Sequence, residues 1–247
     1  MSILSSLTTS DEVQGETDNF GMGGPLDSNT YNGVVTMAYV SKAKSGAIGV
    51  NIVMSTSAGR EFKTTLWVQS GNAKGNLNYY TRDNKKVYLI DFIVFESLCL
   101  LTLGVKGSEA ETEDKVIKIW DYKTGKEEPT TVPVIVDLIG KEAIFGIVKK
   151  IVSKNTLVGD SWVNTGETKE ENRVTKIFRA SDNKTVPEIT NQAEEATAIT
   201  AWLKKFEGTV KDESIKLDAS ATQSAAFSGA AAGAATAKPT SSIFGGA

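Results

Sequence analysis

Ala47-Ile-Gly-Val-Asn-Ile-Val-Met-Ser-Thr-Ser-Ala-Gly-Arg-Glu-Phe-Lys-Thr-Thr-Leu-Trp-Val68 reads as two strands around a tight turn. Residues 47–54 are rich in β-branched side chains, Ser57-Ala-Gly59 is a turn signal, and 61–68 alternate with period two. Upstream, Tyr31–Val40 is another β-rich run, separated from the first by the turn Lys42–Gly46. Three strands joined by short turns predict an antiparallel meander. On the third strand, Phe62, Thr64, Leu66 and Val68 share one face, and Glu61, Lys63, Thr65 and Trp67 share the other. A tryptophan on the charged face is either a stacking platform or the lid of a second small core.

Beyond Val68 the chain becomes a Gly- and Asn-rich stretch, read as a loop over Ser70–Lys86. It carries Lys74, Tyr79, Tyr80, Arg82, Lys85 and Lys86, with Arg60 and Lys63 on the strand before it. Cations meet phosphates and flat rings stack on bases, so this mixture suits a single nucleic-acid strand. Lys42 and Lys44 at the first hairpin tip are further candidates. So is Trp120, which shares a strand face with Lys118.

The charge distribution sharpens this reading. The net charge of −3 is the sum of unlike parts. Residues 1–30 hold five acids (Asp11, Glu12, Glu16, Asp18, Asp27) and no base, whereas residues 40–90 hold eight bases against Glu61 and Asp83. An acidic protein still binds a polyanion when its cations share a face, because exposed charges act over only about 8–10 Å.

The sequence contains no histidine, which excludes a Ser-His-Asp or Cys-His engine and any Cys/His metal site. Cys99 is the single cysteine, so there is no intrachain disulfide, and a reducing cytoplasm fits. Glu109, Glu111, Glu113 and Asp114 lack the spacing of a calcium loop and read as a solvated acidic turn. The glycines at 71 and 75 are too close for a phosphate loop, and no Gly-Lys-Ser/Thr follows. Nothing here suggests an enzyme, a cofactor or a membrane span, and no apolar run reaches about 20 residues.

Further along, Val87–Gly104 has helical spacing at Phe92, Phe95, Leu98 and Thr102, with Gly104 as a stop. Strand patterns follow at 116–122, 131–136 and 141–152, a polar loop at 155–171, a short element at 173–178 and an amphipathic helix at 193–206. The last residues are Ala, Gly, Ser and Thr, with too little apolar surface to offset ordering entropy. The division expected is a flexible acidic arm (1–30), one domain (31–206) and a disordered tail (207–247). A five-stranded antiparallel barrel of the OB type, with a helix between strands three and four and a C-terminal helical extension, accommodates this order.

The ordered motifs Trp67-Val68, Gly75-Asn76, Leu100-Leu-Thr-Leu-Gly104, Glu111-Thr-Glu113, Trp120-Asp-Tyr122, Val132-Pro-Val134, Asp137-Leu-Ile-Gly-Lys141, Gly166-Glu-Thr168, Glu171-Asn172 and Lys176-Ile-Phe178 carry a resemblance. Over about Arg60 to Phe178 the chain resembles the single-stranded DNA-binding proteins of tailed, particularly short-tailed, bacteriophages. The resemblance implies an OB-fold core, ssDNA as partner, and work in phage replication and recombination in the bacterial host cytoplasm. It also implies a C-terminal tail that contacts replication partners, here through Ile243 and Phe244. The family's Leu-Pro-Gly approach to the helix reads Leu89-Ile-Asp91 here, and the last acid of the tail is Asp218. The competing expectation is a phage virion or assembly protein with a β-domain and floppy arms, which leaves the cationic segment at 40–90 without a purpose.

Overall fold

Strand β1 (Asn29–Lys42) is shared between two halves of a sheet, and its own bend makes this possible. Its first half pairs antiparallel with β8 (Glu142–Val158), from Asn29 opposite Ile147 to Val34 opposite Glu142. Its second half pairs antiparallel with β2 (Ile48–Thr56), and the register shifts between Val35 and Met37. Such a bulge bends a strand, and Gly33 and Val34 just before it pair with β2 on one edge and β8 on the other. Strand β3 (Glu61–Gln69) then pairs with β2. The computed structural model describes residues 24–121, 124–158 and 161–215, and these are mainly β.

The described residues hold ten strands, not five. Two of the extra strands form a hairpin, β4 (Tyr79–Arg82) and β5 (Lys85–Tyr88), inside the stretch expected to be a loop. Asp83 and Asn84 both have positive φ, 50° and 57°, which is the backbone of the two-residue turn that suits strand twist. A second hairpin joins β6 (Glu113–Asp121) to β7 (Lys126–Val134). Strand β9 (Ser161–Arg179) pairs with β8, so strand replaces most of the polar loop expected at 155–171. Polar side chains did not prevent this, because a hairpin satisfies its backbone groups internally even where neither face is buried.

The last strand, β10 (Val210–Asp212), lies in the stretch read as tail and runs parallel to β8. At the other end β1 begins two residues before the expected domain start. Residues 1–23 and 216–247, most of the predicted arm and tail, lie outside the described residues, as do Ile243 and Phe244. The sheet order is β10-β8-β1-β2-β3, with β9 on β8. Among the described residues β3 has no partner strand on its outer edge, so no ladder joins β3 to β9 to close a barrel.

The core lies on the inner face of this sheet. Val50, Ile52 and Met54 from β2, Phe62 and Leu66 from β3, Phe145 and Ile147 from β8, and Val174 and Ile177 from β9 meet there. Helix α1 (Ile90–Thr102) covers one end, burying Val94, Phe95, Leu98 and Cys99 on one stripe. Each such side chain contributes roughly 1.5–3 kcal/mol on full burial. Gly104, at φ 76°, ends the helix by giving its N–H to the Cys99 carbonyl. No described helix is long and apolar enough to cross a membrane.

Helix α3 (Thr197–Phe206) packs on the other face of β8, where Trp202 joins Ile144, Val148 and Phe178. Gly146 makes that approach possible, since a Cβ there would stand 3.0 Å from the Trp202 ring. The short helix α2 (Val186–Thr190) carries Glu188, whose carboxylate accepts from Thr185 N–H and, across to α3, from Ala198 N–H at 2.8 Å. Burial raises the pKa of Glu188, but the Thr185 and Ala198 amides and the Thr185 and Thr197 hydroxyls outweigh it and hold it at about 2. Since that is below the unfolded value, the stabilisation is complete above about pH 4.5 and is lost as pH falls toward 2. The gap in urea midpoint between wild type and Glu188→Gln is therefore expected to be full at pH 6 and to shrink steadily as pH falls from about 4.5 toward 2; a constant gap would contradict this.

The chain divides into two compact units. Among the described residues, those from 24 to 152 and Lys169–Glu213 belong to the first, and those from 153 to 168 with Ser214 and Ile215 belong to the second. Within the second, Lys154 pairs with Glu167 at 2.8 Å, and Ile215 N–H donates to the Ser153 hydroxyl at 2.7 Å.

Candidate nucleic-acid interface

The outer faces of β2 and β3 are polar and small-chained, because alternation turns Phe62, Leu66, Val50 and Ile52 inward. Thr65 Oγ1 donates to Asn51 Oδ1 at 2.7 Å, and Asn51 Nδ2 donates to Ser41 Oγ at 2.8 Å, a ladder across three strands. Beside it stands Trp67, 44% exposed and directly opposite Gly49 in the register. A Cβ at Gly49 would meet Trp67 ring carbons at 3.3 Å and the Thr65 methyl at 2.8 Å. Glycine thus leaves room for the indole to lie against β2 while its other surface stays open.

Two clefts meet at this tryptophan. One, of about 750 Å³, is lined by Ser45, Lys74, Tyr80, Val87 and Tyr88 as well as Trp67. The other, of about 580 Å³, lies along the free edge of β3, with Lys63 and Thr65 on one side and Glu171 and Asn172 on the other. Trp67, Asp91 and Arg173 line both, so the two form one groove. Asp91 organises their junction. Its Oδ2 accepts the Trp67 backbone N–H at 3.2 Å and its Oδ1 accepts from Arg173 at 2.9 Å. One carboxylate thereby covers an edge amide of β3 and holds a guanidinium beside the indole. It also neutralises part of that guanidinium's charge.

The β4–β5 hairpin forms one wall. Tyr80 and Val87 are cross-strand partners on the face that lines the groove, and Arg82 and Lys85 follow on that same face toward the turn. The other face holds Tyr79 and Lys86, with the Lys86 ammonium 4.5 Å from the Tyr79 ring centre. Tyr79 meets Tyr88 edge-on at 5.9 Å, and Tyr88 stacks on Phe92 of α1 at 5.7 Å. Tyr79 therefore supports the hairpin, whereas Tyr80, 50% exposed, presents its ring. The opposite rim is also fastened. Asn72 N–H donates to the Ser45 carbonyl at 2.7 Å, joining the Lys42–Gly46 hairpin tip to the 3₁₀ turn that bears Lys74.

Of the residues singled out from the sequence, Lys63, Trp67, Lys74 and Tyr80 line the groove, and Lys42, Lys44, Arg82 and Lys85 stand exposed near its rims. Lys86 and Tyr79 support from behind. Arg60 does not line it; its guanidinium donates to the Gly24 carbonyl at 2.6 Å. Trp120, 52% exposed, lies on the separate β6–β7 hairpin and does not line the groove. The sequence reading missed Asp91 and Arg173 as residues of the groove. Asp91 was marked as a departure from the family motif, but Arg173 is 82 residues away from it and has no local signature. No family model matches the chain, and no curated protein matches it significantly.

Proposed function

We propose that the protein is a noncatalytic single-stranded DNA-binding protein built on an open, OB-like barrel. The observation that carries the reading is the exposed Trp67 ring at the centre of a groove along β3, walled by the β4–β5 hairpin; OB barrels bind oligonucleotides across their second and third strands and adjoining loops. Lysines on the rims would track the phosphates, and Trp67 and Tyr80 would stack on bases. Sequence preference would be slight, since every base has a π-face. Among the described residues no carboxylate pairs with Lys42, Lys44, Lys74 or Lys85, so these cations are available to a ligand. In this reading the protein coats single strands during phage replication and recombination in the host cytoplasm. Ile243 and Phe244 would serve as the contact for replication proteins. Fluorescence anisotropy is expected to show oligo-dT binding well above duplex binding, weakening steeply with salt. Equal binding of both forms, or none at low salt, would refute it.

A further inference from the structure

We propose that the groove has a second occupant within the same chain: the acidic N-terminal arm, residues 1–23, lies in it and competes with single-stranded DNA. The proposal rests on the reading of the groove as a polyanion site. Its first support is where the arm joins the folded chain. Gly24 is held by Arg60 at 2.6 Å. Two residues on, the Asn172 side chain binds both backbone groups of Leu26, accepting its N–H at 2.6 Å and donating to its carbonyl at 2.7 Å. Asn172 itself lines the cleft along the β3 edge, beside Arg173 and across from Lys63. The chain is thus fastened at two points, one of them on Asn172 of the groove lining, and the arm precedes them in the sequence.

Charge and reach supply the rest. Asp11, Glu12, Glu16 and Asp18 lie in the arm with no lysine or arginine among them, and Phe20 stands next to the anchor. The rim lysines named above have no carboxylate partner among the described residues. At about 3.3 Å per extended residue, Phe20 reaches roughly 13 Å from Gly24 and Glu16 roughly 26 Å. Lys63 to Trp67 spans roughly 13 Å of strand, so the arm covers the groove at full charge. Carboxylates would take the positions of phosphates and Phe20 that of a base. The same geometry gives Arg60 its role: it anchors the competitor and does not contact the nucleic acid.

A nitroxide at Ser10→Cys tests this directly in the full chain. Cys99 is buried and its thiol is pushed up to about 12, so the label goes to the new cysteine alone. At low salt the amide NMR signals of Thr65, Trp67 and Arg173 are expected to broaden, and to recover on adding oligo-dT. The variant Asp11→Asn/Glu12→Gln/Glu16→Gln/Asp18→Asn is expected to lose the broadening and to bind oligo-dT about tenfold more tightly, as for a site otherwise nine-tenths occupied. Unbroadened signals, or equal affinity of variant and wild type, would overturn the proposal. Broadening that oligo-dT leaves untouched would keep the arm in the groove and count instead against single-stranded DNA as the ligand.

Discussion

Glu213→Ala is expected to lower the unfolding free energy by about 3 kcal/mol, although position 213 lies beyond the last helix in a polar stretch. Lys150, on β8, is 4% exposed, and its ammonium meets Glu213 Oε2 at 2.6 Å. Lys211 meets the other oxygen at 2.6 Å, and Glu213 N–H donates to the Ile151 carbonyl at 2.8 Å. Removing the carboxylate leaves a buried ammonium without its partner, which typically costs about 3–5 kcal/mol. The lower end applies because the Glu213 side chain is 35% exposed. For a domain of this size the melting temperature should fall by about 6–12 °C. Glu207→Ala, an exposed acid in the preceding turn, should change it by less than about 2 °C. The double variant Lys150→Met/Glu213→Leu should recover much of the loss, because an apolar pair does not strand a charge. The Lys150 and Lys211 ammonium groups hold the Glu213 pKa at about 2, so the stabilisation is present above about pH 4.5 and is lost as pH falls toward 2. A chain ending at Phe206 should melt well below one ending at Asp218. Equal melting of these two chains would show that β10 contributes nothing.

The second large effect is on binding. Trp67→Ala is expected to weaken oligo-dT binding by about 1–3 kcal/mol, roughly 5- to 150-fold, with little change in melting temperature. The ring is exposed and Gly49 beneath it loses little by its removal. Trp67→Phe should retain part of the affinity. Tyr80→Ala should weaken binding to a similar degree, whereas Trp120→Ala should leave it unchanged. Tyr79→Ala tests the distinction between neighbours: its effect should come with loosening of the β4–β5 hairpin, seen as faster amide exchange at Tyr88. If Trp67→Ala and Tyr80→Ala bind as wild type, the groove is not the site.

The meander was legible because its signal is local. The runs at 31–40, 47–54 and 61–68 became β1, β2 and β3 with ends moved by a few residues, since burial of one face imposes a period of two on the side chains. The Lys63–Thr65–Trp67 face was legible for the same reason. The β4–β5 hairpin was not, although Tyr79-Tyr-Thr-Arg and Lys-Lys-Val-Tyr88 flank a two-residue turn. Its strands are mostly exposed, so no apolar alternation marks them, and the turn residues are Asp and Asn instead of the commoner Asn-Gly. β10 is exposed at all of its positions and is held by backbone pairing and by the ion pair of the adjacent Glu213 with distant Lys150, neither of which leaves a pattern.

By itself the sequence determined the strand character of the N-terminal half, the helix that ends at Gly104, the absence of histidine chemistry and the cationic, aromatic run between 40 and 90. Those are properties of neighbours along the chain, set by period, turn chemistry and composition. Only the tertiary structure decided which of those cations and rings share a groove. It turned Tyr80 into the cleft and Tyr79 away from it, tied Arg60 to Gly24, left Trp120 on another hairpin, and brought Arg173 through Asp91 to the side of Trp67. The reason is physical: a strand's period assigns faces, but which faces meet is set by long-range pairing and by single polar contacts between distant residues.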